Sequence, residues 1–320
     1  AFFEKQLAQW PDAARRYEAL STARQRVFEN GVSLLYNPSR AISTAAKVDA
    51  TSIAGRPCFL CAGNRPAEQI SENALGLLEL LVNPYPILPQ HFTLPLKRHI
   101  HQVLEPMYAD MLHLAGRWQG LALFYNGAKC GASAPDHMHF QAGNADFLPL
   151  VSDYFNLKAK GKCTKQKAQP TVLSLGEKFT TEGVDVYTID NYLRVVYCIE
   201  SSDAEALRQA FMKLYNSWAV GTQRAASSKE QDAEHPNEEG VEPMMNVVCL
   251  YRDGKWYLFV IPRGAFRPWQ YTAEGDKQLL VSPATVEVSG LFITPVKEHF
   301  ERITKDDVVD ILTQCTINKE

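Results

Sequence analysis

Three polar side chains alternate with two apolar ones near the middle of the chain, in the run His137, Met138, His139, Phe140 and Gln141. Successive side chains of a β-strand point to opposite faces, so the polar groups are expected on one face with the apolar groups behind them. A neutral imidazole is a nucleophile near pH 7, because its ordinary pKa of about 6.5 leaves a lone pair free. The pattern therefore predicts a strand that carries a catalytic nucleophile.

The residues before this run are small or turn-forming, and those with a predicted substrate-binding role are Asn126, Gly131, Ala132 and Ser133. Small residues let backbone N–H groups approach an anion closely. A loop of this kind that leads to two imidazoles favours a phosphate group beside a nucleophile. An ordinary half-exposed strand is the alternative interpretation, because short motifs also occur by chance.

Four basic residues are candidates for contacts with a substrate phosphate: Arg40, Lys47, Arg263 and Arg267. The first two follow a predicted strand at 32–36, and the last two follow a predicted hairpin at 246–261. A guanidinium group can pair with two phosphate oxygens at once. A solvated surface position or a surface salt bridge is the alternative for each of them.

Cys58 and Cys61 form a single Cys-x-x-Cys motif. Such a motif can be half of a zinc site, a redox pair or two buried thiols. The redox pair is disfavoured, because the motif lacks a thioredoxin-like sequence context. The residues by themselves leave the zinc site and the buried thiols open.

Composition and charge limit the class of protein. The chain has 320 residues, of which 46% are hydrophobic and 22% charged, with a formal net charge of -3. These values fit a globular protein with two domains or one bilobal domain, and the lack of surplus Lys and Arg argues against a nucleic-acid partner. No apolar run approaches the length of a membrane span and no signal peptide is visible. Because the seven cysteines fit a reducing compartment, we expect a cytoplasmic protein.

The order of predicted elements points to an α+β fold. Two helical pieces are predicted over 2–20, with a break at Pro11. A short strand is predicted over 92–96 and a further helix over 105–121. A strand at 121–125 then leads through the small-residue loop to the strand with His139. The order strand, helix, strand, loop, strand is typical of an antiparallel sheet with its helix on one face.

Two polar stretches are predicted to lie outside the sheet. Residues 158–167 contain five lysines and are predicted to form a solvated linker. Residues 221–243 have almost no apolar content, which is typical of a mobile insertion. Thr304 is predicted to begin a final helix that ends near Cys315.

The motifs Asn126-Gly127, Gly131-x-Ser133 and His137-x-His139-x-Gln141 together resemble the signature of the histidine-triad superfamily. They are most similar to its nucleotidylyltransferase and phosphorylase branch. That branch includes galactose-1-phosphate uridylyltransferase, diadenosine tetraphosphate phosphorylase and the GDP-hexose phosphorylases. The resemblance is specific around residues 56–143 and fainter from about 245 to 300.

The resemblance implies an antiparallel sheet with flanking helices, in a bilobal chain whose second half is a degenerate copy of the first. It implies three parts: an N-terminal arm and strand over 1–50, a catalytic half over 51–160 and the degenerate half over 161–320. It also implies that His139 attacks a nucleotide phosphorus and that Gln141 stabilises the charged phosphoryl oxygens. Gln in the place of a third His favours transfer or phosphorolysis over hydrolysis.

The implied partners are a nucleotide or nucleotide-sugar substrate and an acceptor that is phosphate or a sugar phosphate; similar enzymes are often homodimers. A nucleoside diphosphate sugar is the first prediction for the donor. A dinucleoside polyphosphate such as diadenosine tetraphosphate is the second. A nucleotide-binding module without catalysis is the third possibility.

The resemblance also implies a zinc site. In the uridylyltransferases a similar Cys-x-x-Cys shares zinc with a later His and with the first His of the His-x-His motif. Carried over to this chain, the ligands are Cys58, Cys61, His99 and His137, with His101 as a competitor for His99. Two thiolates and two imidazoles suit tetrahedral zinc, and four protein ligands imply a structural role.

Overall fold

The computed structural model describes residues 1–28, 31–166, 181–227 and 242–317. The helices of this described part are α1 Phe2–Gln9, α2 Pro11–Ser21, α3 Ala41–Thr44, α4 Ala50–Ala54, α5 Tyr108–Arg117, α6 Pro149–Ala159, α7 Ala204–Ser227, α8 Thr285–Val288, α9 Lys297–Arg302 and α10 Lys305–Cys315. The strands are β1 Gln25–Val27, β2 Ser33–Tyr36, β3 Glu72–Leu75, β4 Leu78–Val82, β5 His91–Pro95, β6 Leu121–Asn126, β7 His139–Asn144, β8 Cys163–Lys165, β9 Asp185–Ile189, β10 Tyr197–Ser201, β11 Met245–Arg252, β12 Lys255–Pro262 and β13 Leu291–Thr294.

Ten of the strands in the described residues form one sheet, in the order β3-β4-β5-β7-β6-β11-β12-β10-β9-β8. All of its neighbouring strands pair antiparallel. Counted from its outer edge, each half of the sheet has its five strands in the same spatial order, in which the fifth strand of the sequence lies before the fourth. In the sequence of each half a helix, α5 or α7, lies between the third and fourth strands. The predicted α+β fold with a degenerate second copy is therefore confirmed at the level of topology.

The two faces of the sheet support different layers. Phe140 and Ala142 of β7 lie on one face, in an apolar cluster that also contains residues of α5 and α7. The opposite face carries Phe124 of β6 and is covered by residues of α6 and α8, which form a second cluster. Because side chains alternate along a strand, His139 and Gln141 lie on this second face.

A second, three-stranded sheet joins the two ends of the chain. Its order is β1-β2-β13. β2, from the N-terminal arm, pairs parallel with β13, so that Ser33 lies opposite Leu291. The predicted strand at 32–36 is confirmed, as is the break between two helices at Pro11. The partner of β2 lies more than 250 residues away, and no local pattern predicts such a pairing.

Several predicted boundaries differ from the structure. The helix predicted over 105–121 begins with a 3-10 turn at Glu105–Met107 and ends at Arg117. The predicted linker at 158–167 is wrong in part, because residues 158–159 end α6 and residues 163–165 form β8. Both segments have sheet or helix partners that composition does not reveal. The final helix runs over Lys305–Cys315 behind an N-cap at Thr304, as predicted.

The insertion predicted over 221–243 is corrected at both of its ends. Residues 221–227 continue α7, and residues 228–241 lie outside the described part of the chain. Glu242 accepts hydrogen bonds from Tyr125 Oη at 2.6 Å and from Leu104 N at 2.8 Å. The domain boundaries near residues 50 and 160 stay predictions. No helix in the described residues has the length and apolar character that a membrane span requires.

Candidate active site and metal centre

β7 lies between β5 and β6 and begins at His139, two residues later than the predicted strand. His137 precedes the strand, because its N–H donates to Ala134 O at 3.1 Å and closes a turn. The turn directs the two imidazoles to different places: His137 faces the cysteines, and His139 faces Gln141's side of the sheet. The expectation that three polar groups share one strand face is thus wrong for His137.

The His139 side chain is held in one tautomer. It is 3% exposed, and its Nδ1–H donates to His137 O at 2.8 Å. A carbonyl oxygen only accepts, so Nδ1 carries the proton and Nε2 presents its lone pair. Burial lowers the pKa of His139 to about 4, which keeps the ring neutral near pH 7. The arrangement is that of an imidazole prepared for nucleophilic attack through Nε2.

Gln102 forms hydrogen bonds with both the backbone N–H and the backbone C=O of His139. Its amide Nε2 donates to His139 O at 3.0 Å, and its Oε1 accepts from His139 N at 2.8 Å. Gln102 is 2% exposed. The sequence reasoning assigned it no role, and its only signal was a place shortly after the paired histidines His99 and His101. Its contacts hold the start of β7 in one position, as the support of a functional side chain requires.

His91 determines the orientation of the Gln141 amide. Ile87 N–H donates to His91 Nδ1 at 3.2 Å, so the ring proton is on Nε2. His91 Nε2 then donates to Gln141 Oε1 at 2.8 Å. The free end of the Gln141 amide is consequently its NH₂ group, a donor suited to phosphoryl oxygens. Burial lowers the pKa of His91 to about 3, and Phe124 stacks on its ring at 5.9 Å.

No local pattern around His91 indicates its contact with Gln141. The two residues are 50 positions apart in the chain. They meet because β5 and β7 are neighbours, with Thr93 opposite Gln141. A histidine near the start of a strand was the only available signal.

The small-residue loop packs tightly against the second half of the chain. Gly131 has a φ of +93°, and a Cβ added there would lie 2.5 Å from the Cβ of Ala284. A side chain at this position would therefore meet both backbone strain and a clash. Within the described residues the backbone N–H groups of Gly131, Ala132 and Ser133 donate no hydrogen bond. These N–H groups are therefore free to donate hydrogen bonds to an anion, which supports their predicted role.

Asn126 joins the two halves. Its Oδ1 accepts from Thr285 N at 2.8 Å and from Asn246 Nδ2 at 3.1 Å. Thr285 Oγ1 also donates to Asn126 Oδ1, at 2.7 Å. These contacts favour a structural role for Asn126 over direct contact with substrate.

Arg263, which is buried, and Arg40, which is half-buried, differ in their free donors. The Nε and Nη groups of Arg263 all donate to oxygen atoms, which belong to Cys130, Asn246, Ala265, Phe266, Pro283 and Cys315. These bonds hold α8 and the C-terminal helix in place, and they favour a structural role. Arg40, in the described part of the chain, donates one hydrogen bond, from Nη1 to Tyr85 O at 3.0 Å. Its other N–H groups are available to a phosphate.

Arg267 and Lys47 lie near each other at a contact between the N-terminal segment and the second half. Arg267 donates to Ala46 O at 3.0 Å and to Ser282 Oγ at 3.0 Å, and its guanidinium stacks on Tyr271 at 4.0 Å. Lys47 is exposed. Arg267 therefore fixes the loop from which the Lys47 side chain projects.

The four predicted metal ligands come together. One ligand atom from each of Cys58, Cys61, His99 and His137 lies within 4.8 Å of the others. Cys58 Sγ is 3.2 Å from His137 Nδ1, and Cys61 Sγ is 3.2 Å from His99 Nδ1. His101 is exposed and lies outside this cluster. Two sulfur and two nitrogen atoms at such spacings can hold one tetrahedral ion.

The opposite nitrogens of both histidines have partners of the type that metal-binding imidazoles use. His137 Nε2 lies 2.7 Å from Leu96 O, and His99 Nε2 lies 3.3 Å from Asp136 Oδ2. A carbonyl or carboxylate at this nitrogen fixes the tautomer that presents Nδ1 to a metal. The donor set therefore fits a metal ion in its surroundings as well as in its four ligands.

Comparisons with known proteins agree with this fold. A family model described as a domain of unknown function, DUF4922, matches residues 2–144, less than half of the chain. No curated protein matches in sequence. A crystal structure of yeast Ap4A phosphorylase Apa2 matches with a TM-score of 0.53 and 17% identity over 98% of both chains. The same enzyme in complex with Ap4A matches with a TM-score of 0.50 and 16% identity, over 97% of this chain and 98% of that one.

At this level of identity the likeness shows the fold. Diadenosine tetraphosphate phosphorylase belongs to the branch of the histidine-triad superfamily that the motifs resemble. The fold expected from that resemblance is therefore confirmed over nearly the whole chain, including the second half.

Proposed function

We propose that the protein is a nucleotidylyltransferase or phosphorylase that works through a covalent nucleotidyl-His139 intermediate. One observation carries the proposal: the Nδ1–H of His139 donates a hydrogen bond to His137 O, so Nε2 presents its lone pair on the same face as the Gln141 amide. His91 turns the NH₂ end of that amide outward. A nucleophile beside a preorganised donor is what attack on a phosphorus atom requires.

The reaction follows in two steps. In the first, His139 Nε2 attacks the α-phosphorus of the donor, a P–N bond forms, and the bond from phosphorus to the bridging oxygen breaks. The leaving group departs with the electron pair as a sugar 1-phosphate or a nucleotide. In the second, an oxygen of inorganic phosphate or of a sugar phosphate attacks the same phosphorus and the P–N bond breaks. The products contain every atom of the two substrates.

Four groups are proposed to neutralise charge during both steps. The Gln141 NH₂ and the N–H groups of residues 131–133 donate to the phosphoryl oxygens. Arg40, which keeps most of its donors free, is the best-placed cation among the predicted phosphate ligands. Lys47 is the second, on a flexible side chain at the rim.

A nucleoside diphosphate sugar is the donor we propose first. A dinucleoside polyphosphate is the second candidate, and the fold likeness to yeast Ap4A phosphorylase along 98% of the chain favours it specifically. The chemistry at His139 is common to both. The leaving group separates them: a sugar phosphate in one case and a nucleotide in the other.

We propose zinc as the ion of the Cys58, Cys61, His99 and His137 cluster. With all four positions occupied by protein, a zinc ion there has a structural role, and it would cross-link three segments next to β7. The seven cysteines are all free thiols in the structure. Free thiols support the prediction of a reducing compartment, and we keep the cytoplasm as the proposed location.

Intact-protein mass spectrometry tests the proposed function. The protein is incubated separately with UDP-glucose, ADP-glucose, GDP-mannose and Ap4A, and the His139→Asn variant is treated in the same way. We expect a mass increase of one nucleoside monophosphate in the wild type and none in the variant. The size of the increase identifies the base. Adding inorganic phosphate should remove the adduct and release a nucleoside diphosphate.

A matched control is His101→Asn, which changes an exposed histidine outside the site and should form the adduct normally. An adduct with Ap4A only, together with release of ATP, would select the second candidate. If every donor binds and none leaves an adduct, the protein is a nucleotide-binding module and the proposal is wrong.

A further inference from the structure

Glu287 is a buried carboxylate that belongs to no salt bridge among the described residues. It lies in α8 of the second half, and its residue is 6% exposed. Its Oε2 accepts from Ala284 N at 2.9 Å. No side chain in the described ranges donates a hydrogen bond to it, and burial raises its pKa to about 7. A carboxylate kept out of water in this way is costly unless donor groups of a ligand complete its hydrogen bonds.

Neighbouring contacts place α8 against the catalytic face. Thr285 Oγ1 lies 2.9 Å from Tyr125 O, at the end of β6. Ala284, which caps α8, is the residue that lies against Gly131 of the anion-binding loop. Val286 and Val288 pack in the same apolar cluster as Phe124, the residue that stacks on His91. The segment that carries Glu287 therefore borders both the loop and the His91–Gln141 pair.

Charges around Glu287 indicate which part of a substrate it faces. Burial lowers the pKa of Arg40, and the Glu287 carboxylate opposes that change. Arg40 in turn lowers the pKa of His91. Arg40 thus lies within electrostatic reach of both Glu287 and the imidazole that orients Gln141. A phosphate belongs on the Arg40 and Gln141 side, because a carboxylate repels phosphate oxygens.

The remaining part of a nucleotide next to its α-phosphate is the ribose. Its hydroxyl groups are donors, and a carboxylate is their usual partner in nucleotide-binding sites. We propose that Glu287 accepts hydrogen bonds from the ribose hydroxyls of the substrate and makes the site select ribonucleotides over 2′-deoxyribonucleotides. The inference rests on the proposed nucleotidyl transfer and adds a specificity-determining residue from the second half of the chain.

Binding measurements test this role. Isothermal calorimetry with AMP, GMP, CMP and UMP identifies the nucleotide that binds tightest, and its 2′-deoxy counterpart is then measured. A hydrogen bond to a charged group contributes about 1.5–3 kcal/mol, so the wild type should bind the ribonucleotide about 10–100-fold tighter. Glu287→Gln keeps an oxygen for Ala284 N–H and removes the charge, so the preference for the ribonucleotide over the 2′-deoxyribonucleotide should fall below about 5-fold. Glu287→Leu should abolish this preference.

Glu298→Gln is the control, since it changes an exposed carboxylate on α9 and should keep the wild-type ratio. Equal binding of both nucleotides by the wild type, or an unchanged ratio in folded Glu287→Gln, overturns the inference. The outcome is separate from that of the proposed function. An adduct on His139 without discrimination against the 2′-deoxy nucleotide removes the role of Glu287 alone. The absence of both binding and adduct removes the proposed function with it.

Discussion

The two halves of the ten-stranded sheet share a strand order but differ in what their corresponding strands carry. β7 of the first half presents His139 and Gln141 to the face covered by α8. β12 takes its place in the second half and presents Tyr257, Phe259 and Ile261 to the same face. The first pattern is polar, and the second is apolar or aromatic.

Helix α6 covers the corresponding face of the second half. Its Tyr154 is fully buried and packs edge-on against Phe259, with ring centroids 5.3 Å apart. The Tyr154 hydroxyl donates to Glu200, which also pairs with Lys158. The repeated backbone therefore carries different side chains in its two copies, and α8, which lies outside the repeat, is the part of the second half that borders the small-residue loop.

The largest effect is expected from corresponding positions on β7 and β12. His139→Asn removes the nucleophile, so turnover should fall by at least about 10³-fold. Tyr257→Phe in the second half should leave turnover within about 2-fold. Steady-state kinetics with the donor identified by mass spectrometry provides the measurement. A comparable loss in both variants would show that the second half also takes part in the reaction.

Cysteine replacements give the next largest contrast. We expect about one zinc per chain by elemental mass spectrometry, and Cys58→Ser should lose it together with about 4 kcal/mol of unfolding free energy. Cys198→Ala changes a buried thiol of the second half that is remote from the cluster, so zinc should be retained. Zinc-free wild-type protein with unchanged thermal stability would contradict the proposed structural metal.

The Glu200 cluster should matter for stability and not for catalysis. Lys158→Met leaves Glu200, which is 3% exposed, with Lys255 at 3.9 Å as its nearest other cation. Loss of a partner from a buried pair costs about 3 kcal/mol, measured by denaturant unfolding. Lys165→Met breaks an exposed pair with Asp185 and should cost under about 1 kcal/mol. A fall in turnover at unchanged stability would count against a purely structural cluster.

The smallest effect concerns the positioning of Gln141. His91→Asn frees the Gln141 amide to rotate, so kcat should fall about 10–30-fold with less change in KM, because the lost donor acts in the transition state. In a Gln141→Ala background the same change at His91 should lower kcat only slightly, since the effects of substitutions at coupled residues are not additive. Equal losses in both backgrounds would mean that His91 acts on the fold instead.

Much of the fold could be predicted because its signals are local. The break at Pro11, the N-cap at Thr304 and the strand at 32–36 follow from propensity and alternation over a few residues. The parallel pairing of β2 with β13 could not be predicted, because nothing near residue 33 indicates residue 291. Edge strand β8 could not be predicted, because it has only three residues in a stretch whose many lysines are typical of a solvated linker.

The candidate site likewise has features with local sequence signals and features that depend on distant contacts. By its own residues the sequence determined a pair of alternating imidazoles behind a small-residue loop and a Cys-x-x-Cys motif, and the family resemblance added the roles of His139 and Gln141 and the other two ligands. Only the tertiary structure brought the four ligands together, turned His137 away from His139, placed His91 on Gln141 and set Glu287 against the catalytic face. The physical reason for all but the His137 turn is separation along the chain: the other contacts join residues about 40–160 positions apart, and their partners become neighbours only when strands and helices pack. The turn at His137 is local, closed by its hydrogen bond to Ala134 O, and short alternating motifs do not distinguish it from a strand.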